Sequence, residues 1–496
     1  MRRHVPLLLL PLLGCASPTV PPPTSPNAQA SSSTSSTRAG APITPLPPAT
    51  PAEQPLRPLA EETRAVLDQL VAVDTSHGHE TDALRPVAER LRAAGLPVEL
   101  LESAPGRGNL VARYKGNGSK KPLLLIAHVD VVPVEGQPWT VPPFQVTEKE
   151  GFLWGRGIND DKAMAAAIVA IALELAHEKP ALSRDVIFAL TAGEETGGLA
   201  GAKWLAQNHQ NLIDAEIALN ELGTIRLSDD QEKVLLVTTG VAEKTFQTYQ
   251  VVARGKGGHS SLPPVDSDPV LALSRALVKL SQYRFPARIL PVTKEQFANE
   301  AALAPKPFSD VLKRVGSTGR LAPEDERVLS KDTFYNALIR TTCVVTQLSG
   351  APQDNVLPTT AEANVNCRLL PDETREQLLE TLKKIAGDPA IEITPKADYG
   401  YGPYSAPYGI VPSTIKRIAP QIWPEAPVGA AMGTGATDSR HLRAIGIAAY
   451  GVSVSPISKK ESLSGHGAHG PDERRPTKWL ADGARYLHDL TLDLAK

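Results

Sequence analysis

Five short polar segments hold most of the chemistry legible in this chain. They are His128-Val-Asp130, Gly155-Arg-Gly-Ile-Asn-Asp160-Asp161-Lys162, Gly193-Glu194-Glu195, Asn220-Glu221 and His469-Gly-Pro-Asp-Glu473. Each stands at the end of an apolar run or beside a glycine turn. Imidazole nitrogens and carboxylate oxygens are the donors that divalent metal ions take from proteins. One His-x-Asp says little, but five such segments in a consistent order point to one dinuclear metal site.

The residues divide by position. His128 and Asp130 are two apart at the end of a strand, so their side chains share a face. Asp130 can then hold the far ring nitrogen while His128 binds a metal. The plainer reading is a buried polar pair that caps the strand end. Asp160 and Asp161 follow a glycine-flanked turn and open a helix. A carboxylate there could bridge two cations through its two oxygens, whereas N-capping is the ordinary role of Asp at that place. Glu194 and Glu195 are adjacent at a turn and point in different directions. One can bind metal while the other reaches a water as its base. Glu221 closes a further buried strand, as a ligand should at the carboxyl ends of a parallel sheet. Of the two histidines in Gly465-His-Gly-Ala-His-Gly470, His469 is the preferred ligand because Gly-Pro-Asp-Glu follows it. His466 reads as a loop or substrate contact.

The elements that must position these groups are readable from hydrophobic periodicity. Helical spacing covers 59–70. Short continuous apolar runs at 122–128, 185–191 and 215–220 predict buried parallel strands, with a weaker strand at 109–114. Helices are predicted over 162–176 and 199–208. Strands alternating with helices argue for an α/β sandwich with a mainly parallel sheet. From about 241 the pattern changes to strand 245–253, helix 268–280, an irregular insertion over 283–338, strands 339–348 and 361–370, helix 374–385 and strand 390–394. That β-α-β-β-α-β order predicts an inserted ferredoxin-like α+β lid domain. The expected divisions are a catalytic first part over 59–240, the lid over 241–398, and a catalytic second part over 399–496.

These segments resemble the cocatalytic zinc aminoacylase/carboxypeptidase metallopeptidase family, which includes glutamate carboxypeptidase, aminoacylase and succinyl-diaminopimelate desuccinylase. The likeness covers roughly 60–490 and looks closest to the carboxypeptidase S branch. It implies two zinc ions, with cobalt or manganese as substitutes. His128, Asp160 and Glu221 would hold one and Asp160, Glu195 and His469 the other. It further implies Glu194 as the general base, Asp130 as the partner of His128, and a cis peptide between Asp160 and Asp161. Gly255-Lys-Gly-Gly-His259-Ser-Ser resembles the family's lid motif, whose histidine stabilises the oxyanion. Asn355 and Arg368 resemble lid positions that meet a substrate carboxylate, for which the guanidinium fork suits. Thr437 lies in a loop, Gly435-Ala-Thr-Asp-Ser-Arg440, resembling one on the substrate side. The implied activity is hydrolysis of an amide bond beside a free carboxylate, in a small peptide or an N-acyl amino acid, and the implied assembly is a homodimer. Leu222-Gly follows Glu221 where many relatives carry Gly-Gly.

The N-terminus predicts where the body resides. Met1-Arg-Arg-His-Val is a basic lead, Pro6–Leu13 is apolar but too short to span a bilayer, and Leu12-Leu-Gly-Cys15 resembles a lipobox. Residues 1–15 thus read as a lipoprotein signal whose Cys15 carries lipid, an incidental Cys15 in an ordinary secretory signal being the plainer reading. Ala16 favours an outer membrane. Residues 16–58, rich in Ser, Thr, Pro and Ala, read as a disordered tether. Leader, tether and a two-lobed body equally fit a periplasmic solute-binding lipoprotein, which would not need Glu194. A net charge of −2 without a basic stripe argues against nucleic acid. Cys343 and Cys367 fall in neighbouring strands, joined as a disulfide or standing as two free thiols.

Overall fold

The run Leu123–His128 is buried at all six positions, and Val186–Thr191 likewise, as strands covered on both faces require. They pair in parallel with each other. Ile217–Asn220 joins the other side of Leu123–His128, and Ala448–Gly451 joins Ile217–Asn220, again in parallel. His128, Thr191, Asn220 and Gly451 therefore end on one edge of the sheet. Gly108–Tyr114 and Val98–Glu102 extend it antiparallel beyond Val186–Thr191. On the opposite flank Val234–Glu243 pairs with Thr224–Leu227 and Val428–Gly433. The result is a mixed, mainly parallel ten-stranded sheet. Lys162–Glu178, alanine-rich and apolar on every side, is buried along most of its length, which suits a helix enclosed between the sheet and other helices.

The structure, a computed structural model, describes residues 57–496 except 266–267, 352, 398–399 and 401. The leader, Cys15 and nearly all of the 16–58 tether lie outside the described residues, as does the expected division at 398. Among the described residues no helix is long and apolar enough to cross a membrane.

A second sheet runs Thr342–Ser349, Thr360–Leu369, Thr245–Arg254, Ile391–Pro395, antiparallel throughout. Helices Pro269–Gln282 and Arg375–Ala386 supply Leu273, Ala276, Leu378 and Leu382 to a separate core with its inward residues. The order is β-α-β-β-α-β, and the strict alternation of burial along Thr360–Leu369 is that of a sheet covered on one face. Cys343 lies directly opposite Cys367 and the two form a disulfide, so the free-thiol alternative is set aside.

The segment 283–338, expected to be an irregular part of the lid, instead holds helices Pro291–Glu300, Phe308–Thr318, Pro323–Leu329 and Thr333–Ile339. Phe297, Leu312, Val315 and Leu338 from these helices join the core of the large sheet, not of the small one. The cause is visible at the sheet edge. Strand Val428–Gly433 leaves backbone N–H groups to satisfy, and side chains of Pro291–Glu300 accept them: Glu295 from Ala430 at 3.2 Å and Gln296 from Met432 at 3.0 Å.

Candidate metal centre

The shared strand edge delivers His128, Glu194, Glu195 and Glu221, and two loops bring Asp160 and His469 to them. His128 is the last residue of its strand. The chain leaving Val186–Thr191 turns at Gly193, in the left-handed region at φ 71°, and presents Glu194 and Glu195. Glu221 directly follows Ile217–Asn220. His128 Nε2 lies 2.9 Å from Asp160 Oδ1 and 3.9 Å from Glu221 Oε1. His469 Nε2 lies 3.1 Å from both Asp160 Oδ2 and Glu195 Oε1. The two oxygens of Asp160 thus face different imidazoles, and each imidazole has a second carboxylate beside it. Donor atoms of His128, Asp160 and Glu195, and of His128, Glu194 and Glu221, lie within 4.8 Å of one another.

The supports of these groups come from the same short segments. His128 Nδ1 faces the main-chain oxygen of Asp130 at 3.0 Å and its carboxylate at 3.4 Å. That carboxylate does a further job that sequence did not reveal: Oδ1 accepts the backbone N–H of Glu194 and Oδ2 that of Glu195, both at 3.1 Å. Glu473 clamps the Asp160 turn, accepting from Arg156 Nη1, Gly157 N and Asn159 N at 2.9, 3.0 and 2.7 Å. A Cβ at Gly157 would stand 2.7 Å from Val131, so the turn packs too closely for any side chain. The bond between Asp160 and Asp161 is cis. Asp161 occupies the N-cap position of Lys162–Glu178 but makes no capping hydrogen bond, so its ordinary role is not the one it plays.

The electrostatics describe a crowded, anionic, partly dry cleft. Burial pushes the Glu221 carboxyl well above the usual carboxylate range, and the charge of Asp160 adds to it. Burial, with Asp438 and Asp130 nearby, does the same to Glu194. Asp160 moves down against its own burial, because His128 and His469 hydrogen-bond to it. Those bonds act back: His469 is raised to about 10 by Asp160 and Glu195. Burial would lower His128, yet Asp130 and Asp160 raise it well above the ordinary imidazole value. So many carboxylates at low dielectric repel one another unless cations stand among them. The donor set is imidazole and carboxylate throughout, and it fits divalent ions.

The remaining expected residues are placed unevenly. Arg368, half-buried, lays its guanidinium over Phe246 at 4.9 Å. Burial and Arg440 lower its pKa while Glu194 raises it, so it shares the field of the candidate base. His259 is exposed, and its Nδ1 accepts from Ser261 N and Oγ at 3.1 and 2.8 Å. The main-chain oxygen of Asn355 accepts from Ser260 at 3.1 Å, so both residues lie on one small loop pair. Among the described residues, no hydrogen bond or ion pair ties either to the five metal donors. Thr437 is buried and its N–H and hydroxyl both donate to Glu243, at 2.7 and 2.8 Å. Its side chain thus braces Glu243.

Two charged residues were read only as part of a loop. Arg440 Nη1 stands 4.0 Å from Glu194 Oε1. Asp438 accepts from Thr191 Oγ1 at 3.0 Å and is pushed up to about 6, chiefly by burial. The run Thr-Asp-Ser-Arg was visible in sequence, but not which of its charges meets Glu194.

The sequence and fold have known relatives. The N-fatty-acyl-amino acid synthase/hydrolase PM20D1 of Mus musculus is 28% identical over 448 residues, 85% of each chain. The probable carboxypeptidase S-like 2 of Dictyostelium discoideum is 28% identical over 348 residues, 67% of this chain and 64% of that one. Both support the carboxypeptidase S branch. The M20 family metallo-carboxypeptidase Sso-CP2 from Sulfolobus solfataricus has the same fold, with a TM-score of 0.67 at 19% identity over 87% of this chain and 99% of that one. The description of peptidase family M20/M25/M40 matches residues 124–493, and the chain belongs to that family.

Proposed function

We propose that this chain is a two-metal amidohydrolase that cleaves an amide bond beside a free carboxylate, in an N-acyl amino acid or a small peptide. One observation carries the reading: Asp160 presents one oxygen to His128 and the other to His469, each half completed by its own glutamate. His128, Asp160 and Glu221 would hold one ion and Asp160, Glu195 and His469 the other. Two zinc ions so held would supply Lewis-acid polarisation of a carbonyl and acidify water at neutral pH. The chain's own groups do the rest. Glu194 takes a proton from the attacking water on its carboxylate and returns it to the leaving nitrogen. Its burial, which favours the protonated form, supports that exchange. Arg440 stands 4.0 Å from the Glu194 carboxylate and offsets its charge, and Arg368 stands ready for the substrate carboxylate. His259, exposed on the loop pair with Asn355, is the candidate for stabilising the oxyanion. The printed activity of the PM20D1 relative supports N-acyl amino acids as the first substrates to try. A solute-binding lipoprotein without catalysis finds no support in these relatives.

The test is a hydrolysis screen of N-acyl amino acids and dipeptides with added zinc or cobalt, run beside metal analysis. Glu194→Gln should lower kcat by about 10²–10⁴-fold and keep two ions per chain. Glu195→Ala should lose one ion. Metal lost from Glu194→Gln with turnover retained would reverse the two roles. The same proposal anchors the body by lipid on Cys15, on the periplasmic face of an outer membrane. Loss of labelling by a fatty-acid analogue in Cys15→Ser would support it.

A further inference from the structure

Between the large and small sheets the chain leaves itself almost no slack. Strand Val234–Glu243 belongs to the first and Thr245–Arg254 to the second. The single residue between them is Lys244, wholly buried. Its Nζ donates to Ala337 O at 2.9 Å, Arg340 O at 2.8 Å and Thr342 Oγ1 at 3.2 Å. Those acceptors mark a later crossing, where helix Thr333–Ile339 ends on the body and strand Thr342–Ser349 of the small sheet begins. An N–H donor suits the carbonyls left open at a helix C-terminus, and burial pulls the Lys244 pKa down to about 7. The far end of strand Thr360–Leu369 joins the same knot: Thr341 Oγ1 accepts from Leu370 N at 3.0 Å and donates to Glu373.

The neighbour of Lys244 faces the other way. Glu243 accepts Thr437 N and Oγ1, and Arg443 Nη1 at 3.0 Å. Thr437 O in turn accepts from Arg440 Nη1 at 2.9 Å, and Arg440 is the cation beside Glu194. Arg368 lies directly opposite Thr342, which Lys244 holds, and opposite Phe246 on its other side. Two consecutive buried polar side chains thus reach opposite ways. One fixes the body's arginine and the other fixes the strand beside the small sheet's arginine.

We propose that Glu243 and Lys244 form a hinge lock that sets how Arg368 is presented to the substrate carboxylate, relative to Glu194 and Arg440. Lys244 is a positioning residue that acts through Arg368. The proposal rests on the reading that Arg368 meets that carboxylate, and the experiment separates the two.

Kinetics are measured for Lys244→Met, Arg368→Ala and the double variant, on an N-acyl amino acid and on its carboxamide counterpart. Circular dichroism and metal content report folding. Lys244→Met should raise KM for the acid about ten-fold, change kcat little, and leave the carboxamide nearly unaffected. In the Arg368→Ala background the same substitution should cost almost nothing more. Full additivity, or equal losses on both substrates, would overturn the hinge lock and make Lys244 a merely structural residue. If Arg368→Ala itself shows no preference between acid and carboxamide, the reading of Arg368 has failed, and the lock with it. Should Lys244→Met not fold, Thr342→Val removes one acceptor of the ammonium and should give a smaller change of the same kind. Absence of any change there would also count against the lock.

Discussion

Replacing Asp130 by Asn changes one oxygen for an NH₂ and removes a charge, with almost no change of volume. The carboxylate now accepts two backbone N–H groups, of Glu194 and Glu195, and lies beside His128 Nδ1. The amide keeps one acceptor and turns N–H groups against the other backbone donor. A hydrogen bond to a charged group contributes about 1.5–3 kcal/mol, and a stranded buried donor costs about 1–3 kcal/mol. Taking about 3 kcal/mol for the sum, and 1.36 kcal/mol per decade, the expected loss in kcat/KM is about 100-fold. The turn that aims both glutamates would relax, so metal affinity should fall as well, by about 10–100-fold. Rates are measured at limiting and at saturating zinc, with bound metal determined in parallel. Saturating zinc should recover only the part due to metal loss, because Glu194 stays misaligned. Wild-type kcat/KM together with wild-type metal affinity in Asp130→Asn would refute the reasoning that this carboxylate builds the turn.

Three further outcomes are expected. Glu221→Ala should weaken one ion, measured by competition with a chelator, while Glu195→Ala weakens the other; loss of the same ion from both would collapse the two half-sites into one. Cys343→Ser removes a cross-link closing 24 residues of sequence and should lower stability by about 3 kcal/mol. Denaturant melts read that change, and an unchanged midpoint would mean the bond adds nothing. Phe297→Ala should cost about 3–5 kcal/mol, since Phe297 is wholly buried against the large-sheet core, and should destabilise the body instead of loosening the small sheet alone. Limited proteolysis would show which sheet opens first.

The parallel strands were legible because their composition leaves no other reading: Leu123–Ala127 has no polar residue to place in water. The site was legible because His128, Glu195 and Glu221 fall at or just past the ends of those strands, while Asp160 and His469 stand in glycine-rich turns. The lid order was legible from alternation at 245–253 and 361–370. Other features were not. Helix Glu80–Ala93 carries Pro86 and many charges, which blur its periodicity. The helices of 291–339 are short, and nothing in their residues says which sheet they cover. That choice is made by the open edge of Val428–Gly433. Thr437 has the type of a substrate contact, but only the packing of Glu243 beneath it shows that its hydroxyl is already engaged. Lys244 could not be singled out, since a lysine between two strands ordinarily points to solvent.

The half of the centre made by His469 and Glu195 joins residues 274 positions apart. No fragment that stops before the last loop has both imidazoles. The body's parallel sheet, by contrast, can pair most of its strands from the earlier part of the chain. A polypeptide made only as far as residue 468 therefore carries four of the five donors and no second histidine. The second half of the centre is thus completed only by the segment that also brings the last core helix, Leu480–Ala495, so the second metal site and the closing of the main core depend on the same final stretch of chain.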